Sequence, residues 1–154
     1  MHSAQKICLL LAMILAPSFA MAEPIATIKK LSGEVSIVRK NETHAATLGD
    51  RIHEQDSIST GNQGSIGILF DDDTRIAVGP NSKLSLADYS YDPRNHKGGL
   101  DLKVSEGTVS VIAGKVAQGN PEALSVATPA SAITVSGNAF SIKVDNPTKE
   151  GNAQ

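Results

Sequence analysis

From Ile58 to Leu86 apolar and polar residues alternate with a period of two, and two clusters of turn-forming residues cut that alternation into short runs. Ile66, Ile68 and Phe70 fall on one side of an extended chain, Ile76 and Val78 alternate with Arg75 and Ala77, and Ser85 separates Leu84 from Leu86. Successive side chains of a strand point to opposite faces, so the pattern describes short strands with one buried and one wet face. Asp71-Asp72-Asp73 bonds its own backbone readily, and Gly79-Pro80-Asn81-Ser82 places a fixed φ at its second position. Both clusters are expected to reverse the chain, which makes this stretch a three-stranded meander.

The same period recurs on either side. Residues 25–39 read as two strands joined at Leu31-Ser32-Gly33, a hairpin, whereas 40–46 is polar and aperiodic and reads as an exposed loop. Leu48-Gly49-Asp50-Arg51-Ile52 and Ile58-Ser59-Thr60-Gly61 read as a connector beneath the meander. Residues 89–99 read as a long solvated turn. Leu100, Leu102 and Val104, then Val109 and Val111, flank Glu106-Gly107 in the pattern of a second hairpin. A loop over 113–123 and strands over 124–128, 132–135 and 139–144 complete the set. No stretch holds 3.6-residue apolar spacing, so an all-β fold is expected, an irregular β-solenoid or β-roll of short strands with a β-sandwich as the alternative.

Residues 1–22 are different in kind. Lys6, the apolar run 7–15 and Ala20-Met21-Ala22 have the layout of a secretory signal peptide, expected as a helix ahead of a mature chain that starts at Glu23. The run is shorter than the roughly 18 residues that span a bilayer, so membrane contact is expected only indirectly once the leader is cleaved. The domain reading is therefore a leader at 1–22, one β domain at 23–145 and a flexible tail at 146–154, in a periplasmic or secreted protein. Cys8, the one cysteine, lies in the leader, which removes disulfides, thiolate metal sites and cysteine nucleophiles from the mature chain. With 13 basic residues (14 less Lys6) against 16 acidic ones the mature charge is −3, and nucleic acid is not an expected partner. Phe70, Tyr89, Tyr91 and Phe140 are the mature chain's aromatics, too few for a sugar-stacking platform.

No residues assemble into a catalytic, metal or cofactor motif. Asp71-Asp72-Asp73 lacks the spaced carboxylates and closing glutamate of a calcium loop and reads as an acidic hairpin tip. His53-Glu54 begins like a zinc-protease helix, but Ser57 stands where the second histidine belongs, and His44 and His96 are far away in sequence. Gly64-Ser65-Ile66-Gly67 has the wrong spacing for a nucleophile elbow. Thr128-Pro129 reads as a strand end, with the threonine held extended by the proline, and as a place where a partner could meet an open strand.

The order of turns nevertheless resembles the FecR-type domain, the periplasmic part of iron-citrate signalling regulators and of many exported bacterial proteins. The resemblance runs from about Leu48 to Val144. It rests on Leu48-Gly49-Asp50 with Ile52; Ile58-Ser59-Thr60-Gly61 with Gly64-Ser65; Phe70-Asp71-Asp72-Asp73-Thr74; Gly79-Pro80-Asn81-Ser82 with Leu84; Glu106-Gly107; and Ala127-Thr128-Pro129 leading to Ile133-Thr134-Val135-Ser136-Gly137-Asn138-Ala139-Phe140. Two positions depart from that pattern: Asp72-Asp73-Thr74 stands where the family usually has Asp-Gly-Thr, and Ser136-Gly137-Asn138 where it usually has Arg-Gly-Thr. The family also continues past the Phe140 strand into another glycine-turned hairpin, so the last β-layer is expected to be missing here or supplied by another chain. What the resemblance implies is a twisted, solenoid-like β fold in a non-enzymatic protein-interaction or sensory module of the bacterial envelope, without the cytoplasmic and membrane-spanning parts of the regulators. Its expected partner is an unidentified envelope protein, and its docking residues are unassigned. A structural or carbohydrate-associated surface component is the alternative, and a fragment with no role of its own the third reading.

Overall fold

The computed structural model describes residues 22–130, 132–134 and 137–145. The leader, apart from Ala22, and the tail 146–154 lie outside the described residues. The described chain is mostly strand, as the alternation requires, with one short helix.

Four segments of the chain cross the molecule as bent lines, each made of two strands. β1 (Pro24–Ser32) continues through 33–34 into β2 (Val35–Arg39); β3 (Glu42–Ala45) through 46–50 into β4 (Arg51–His53); β5 (Ser57–Thr60) through 61–64 into β6 (Ser65–Phe70); and β7 (Arg75–Val78) through 79–82 into β8 (Lys83–Asp92). A fifth line, β9 (Lys97–Ile112), crosses as one unbroken strand that bends at Gly107, where φ is +90°. Neighbouring lines pair antiparallel, so β4, β1, β6, β7 and the end of β9 form one half of a curled sheet. β3, β2, β5, β8 and the start of β9 form the other. After β9 the chain makes a five-residue helix, α1 (Lys115–Gly119), and returns as β10 (Leu124–Ala127), parallel to the start of β9. β11 (Ala132–Thr134) pairs with β10, and β12 (Ala139–Val144) with the end of β9. Apart from the β9–β10 pair the ladders are antiparallel, a curled sheet in place of the stacked parallel coils of a solenoid.

One core fills the space between the halves. Ile28, Ile68, Ile76 and Val111 enter it from one side, Ile37, Ile58, Leu84 and Leu102 from the other, all buried. Alternation is unbroken along β5, β6 and β7, which is why the sequence announces that part of the core so clearly.

Three expected reversals are not there. β1 and β2 do not pair with each other, so 25–39 is one bent line and no hairpin. Gly79-Pro80-Asn81-Ser82 is a bend between β7 and β8, and the stretch from Ile58 to Leu86 reverses only once, at 71–74. Leu100 and Val111 lie on the same strand, which bends at Gly107 without reversing. The physical reason is common to all three: a residue at a positive φ, Gly33, Asn81 or Gly107, serves a bend as well as a reversal, and side-chain alternation is identical in both. Residues 40–46, read as loop, contain a tight turn at Lys40 and Asn41 (φ 49° and 66°) and the exposed edge strand β3. Among the described residues no helix is long and apolar enough to cross a membrane.

The bends stack into a single line of corners. Gly61 N–H donates to Glu34 O, Asn81 N–H to Gly61 O, and Gly79 N–H to Thr108 O. A Cβ on Gly64 would overlap the Glu34 carbonyl, and one on Gly107 would overlap Ser82. The buried hydroxyl of Thr60 donates to Gly79 O at 2.6 Å and accepts from Ser82 N at 3.0 Å, and Ser82 Oγ accepts from Thr108 N at 3.0 Å. The short Gly, Ser and Thr motifs are the hinge along which the sheet folds over.

Candidate functional site

Of the residues that attracted chemical suspicion, the acidic turn 71–73 holds the far end of the molecule, opposite the corners. The Asp72 carboxylate is fully buried and accepts from Thr74 N (3.2 Å), Thr74 Oγ1 (2.7 Å) and Val116 N (3.3 Å). Thr74 Oγ1 in turn accepts from Gly114 N at 3.0 Å, and Lys115 N donates to Asp72 O at 2.8 Å. The acidic turn is therefore an anchor for α1, whose Val116 is buried beneath it. Asp73 sits at φ +69°, a conformation glycine adopts without strain, which accounts for the glycine of the family pattern at this place. Its carboxylate meets Lys115 Nζ at 2.7 Å, and that hydrogen bond holds its pKa below the ordinary carboxylate value. Tyr89 closes the same end: its ring lies 5.3 Å from that of Phe70, and burial, with the Asp72 charge second, pushes its phenol pKa up.

A second carboxylate does similar work beside it. Asp56, fully buried, takes a bidentate pair from Arg39 (Nε 2.8 Å, Nη2 2.6 Å) and the His53 N–H at 2.9 Å. Arg39 also donates to Arg51 O at 3.0 Å, so one guanidinium ties β2 to β4 and to the entry of β5. That hydrogen bonding to Asp56 raises the Arg39 pKa.

The histidines stay apart. His44 is exposed on β3, His96 accepts or donates at 2.9 Å to the Tyr91 hydroxyl, and His53 lies at the rim with its Nδ1 shut off from solvent and without a hydrogen-bond partner. Desolvation, helped by the charge of Arg39, lowers the His53 pKa. Among the described residues no three His, Asp, Glu or Cys side chains converge on a common point. Ser65 opens β6 just past a corner, paired with Ser32 on an ordinary ladder.

The region that remains open is the flank of β9 away from β7 and β8. There the described chain leaves β12 with one neighbour, β9, and its other edge is unpaired among the described residues. Ala139, Ser141 and Lys143 are exposed, while Phe140, Ile142 and Val144 are half-buried and continue the core face of Val109 and Val111. Opposite them Thr128, Pro129 and Ala130 join β10 to β11. A cleft of about 450 Å³ separates the two, lined by these three residues with Ile142, Lys143, Val144 and Asp145. Its charges are already matched, with Lys143 Nζ 3.3 Å from Asp145 Oδ1. An open strand edge beside a half-covered apolar row is the arrangement that accepts a further strand: backbone groups give the affinity and alternate side chains the selectivity. Thr128-Pro129, suspected from the sequence, is one wall of this cleft. Ile142 and Val144 were legible as strand residues, but nothing local told that their strand is an edge.

No curated protein matches the chain. A solved structure described as a cell surface anchoring domain shares 32% identity over 40% of this chain and 83% of its own length, with a TM-score of 0.39. The model of the family described as FecR protein matches residues 56–152, more than half of the chain and the stretch that carries the corners at 61–64, 79–82 and Gly107, the Asp72 anchor and the β12 edge. By that match the chain belongs to the FecR family.

Proposed function

We propose that the protein is a non-enzymatic interaction module of the bacterial envelope, periplasmic or secreted, whose protein partner adds a strand to the free edge of β12. The observation that carries this reading is the outer edge of β12, unpaired among the described residues, with Phe140, Ile142 and Val144 half-covered beside the Thr128–Ala130 wall. Each of these side chains that a partner strand covers contributes on the order of 1 kcal/mol, and the ladder fixes register. FecR family membership supports the envelope setting. The buried carboxylates of Asp56 and Asp72 are bound up in turns and in α1, which favours a binding role over catalysis.

The test is a photocrosslinking residue at position 143 in cells of the source, with the adduct identified by mass spectrometry. Substituting exposed Ala130 by Glu narrows the opposite wall without touching the core. The expected result is a single protein adduct that A130E reduces at least tenfold while the melting temperature stays constant. An adduct pattern unaffected by A130E, or turnover of an envelope substrate by the purified protein, overturns the reading.

A further inference from the structure

The outer face of the half-sheet built from β1, β6, β7 and the end of β9 carries a second, separate groove of about 500 Å³. Its floor is one cross-strand row, Lys30 opposite Gly67, Gly67 opposite Ala77, Ala77 opposite Ser110. The next row, Leu69 opposite Arg75 and Arg75 opposite Ile112, forms its wall. Ile112 is 51% exposed, one of only two large apolar side chains so exposed among the described residues.

The charge is one-sided. Lys29, Lys30 and Arg75 line the groove, no carboxylate does, and none of the three makes an ion pair among the described residues, in a chain whose net charge is −2. Asp73, the acid within electrostatic reach of Arg75, is already held by Lys115. The two lysines share the groove because of an irregularity. Alternation sends consecutive residues to opposite faces, but the β1–β6 register shifts between Ile28 and Lys30, and this bulge leaves both Lys29 and Lys30 exposed at the groove. A bulge that places two like charges side by side costs repulsion, which an anion between them relieves.

We infer that this groove binds a free single-chain anionic amphiphile, an alkyl carboxylate or alkyl phosphate, with its headgroup at Lys29 and Lys30 and its chain lying across Gly67 and Ala77 toward Leu69 and Ile112. Crossing from β1 to β9 spans three strand spacings, about 14 Å, the reach of a medium-length acyl chain. The polar end and the apolar end lie side by side in the plane of the sheet. A bilayer presents headgroups in one layer and chains beneath it, so the geometry favours a monomer lying flat over docking onto a membrane surface. The site is independent of the β12 cleft and of the reading built on it.

Titrating isotope-labelled protein with dodecanoate and with dodecyl phosphate, each below its critical micelle concentration, tests this by amide shifts. The expected result is saturable movement of Lys30, Gly67, Ala77, Ser110 and Ile112, with the amides of β2, β3 and β5 in the other half of the sheet unmoved. The double variant K29E/K30E is expected to weaken binding at least tenfold and Ile112→Ser several-fold, both with an unchanged melting temperature because these side chains are exposed. Arg75→Glu serves as a second charge reversal. The inference is overturned if dodecyl maltoside, with its neutral head, or an acidic hexapeptide without an alkyl chain moves the same amides with equal affinity. It is also overturned if the charge reversals leave the affinity unchanged, or if the protein sediments with phosphatidylglycerol vesicles and ignores the monomers.

Discussion

The two ends of the curled sheet are held by different physics. At the corner end the lines fold over through glycines packed against backbone, and the polar groups sealed there are neutral, the hydroxyls of Thr60 and Ser82 bonded to main chain. At the far end the seal is ionic: Asp56 with Arg39, Asp72 with Thr74 and the backbone of α1. The neutral corner tolerates no added atom at Gly33, Gly64 or Gly107, and its buried hydroxyls carry no charge for salt or pH to act on. An ionic end tolerates changes of shape but depends on every partner of a buried charge being present. The difference teaches that the family-like motifs in this chain divide by task, glycine motifs to bend the sheet and carboxylate motifs to close it.

That division can be broken most severely at Gly107. Gly107→Val adds atoms where Ser82 already stands and forces a β-branched residue to φ +90°, and is expected to cost about 4 kcal/mol, read by denaturant unfolding and unaltered between low and high salt. Arg39→Ala attacks the other end by leaving the Asp56 carboxylate buried with only the His53 N–H. Because the Arg39 side chain is 33% exposed and water can reach part of the gap, the expected loss is about 2–3 kcal/mol, smaller than for a fully buried pair, and it should shrink as salt rises. Thr60→Val keeps the shape of the corner but removes the acceptor of Ser82 N and the donor to Gly79 O, for an expected loss of about 2 kcal/mol independent of pH. If Gly107→Val proved milder than Arg39→Ala, the corners would be the softer end and the comparison would be reversed.

How much of this was legible beforehand follows from the same contrast. The core residues Ile66, Ile68, Phe70, Ile76, Val78, Leu84 and Leu86 could be read from alternation, because burial on one face is a local property of a strand. The hairpin at Asp71-Asp72-Asp73 could be read for the same reason, and so could β12 at 139–144. Whether Gly33, Gly79 and Gly107 bend or reverse the chain could not, since the answer lies in which distant strand is the pairing partner. Asp72 was seen as a polar tip because a triple aspartate is ordinarily wet; its burial depends on Val116, 44 residues away. Of the cleft beside β12, Thr128-Pro129 was visible through proline geometry, whereas the open edge of β12 emerges only when β9 has taken β7 on one side and left the other to β12.

The smallest expected effect is the one that separates the two ends without changing any backbone. His53 sits at the ionic end, Nδ1 enclosed and unpartnered, and its pKa is lowered from 6.5 by burial first and the Arg39 charge second. In the unfolded chain the imidazole takes up a proton near its ordinary value, whereas the folded protein resists it, so the unfolded state binds more protons over the interval between the two. Stability therefore rises with pH in that interval and falls as the solution is acidified below about pH 6.5. His53→Gln, which keeps a polar rim side chain but cannot titrate, should remove that part of the pH slope and leave stability near pH 8 within about 0.5 kcal/mol of the wild type, as for most substitutions at a rim. Asp73 contributes a further acid-side loss at lower pH, since its folded pKa is also below the unfolded one, and that limb should survive in His53→Gln. Thr60→Val, at the neutral corner, should show the wild-type slope unchanged. Melting temperatures of the three proteins between pH 8 and pH 5 decide the matter: a slope that persists in His53→Gln, or vanishes in Thr60→Val, would place the titrating group somewhere other than the end closed by Asp56.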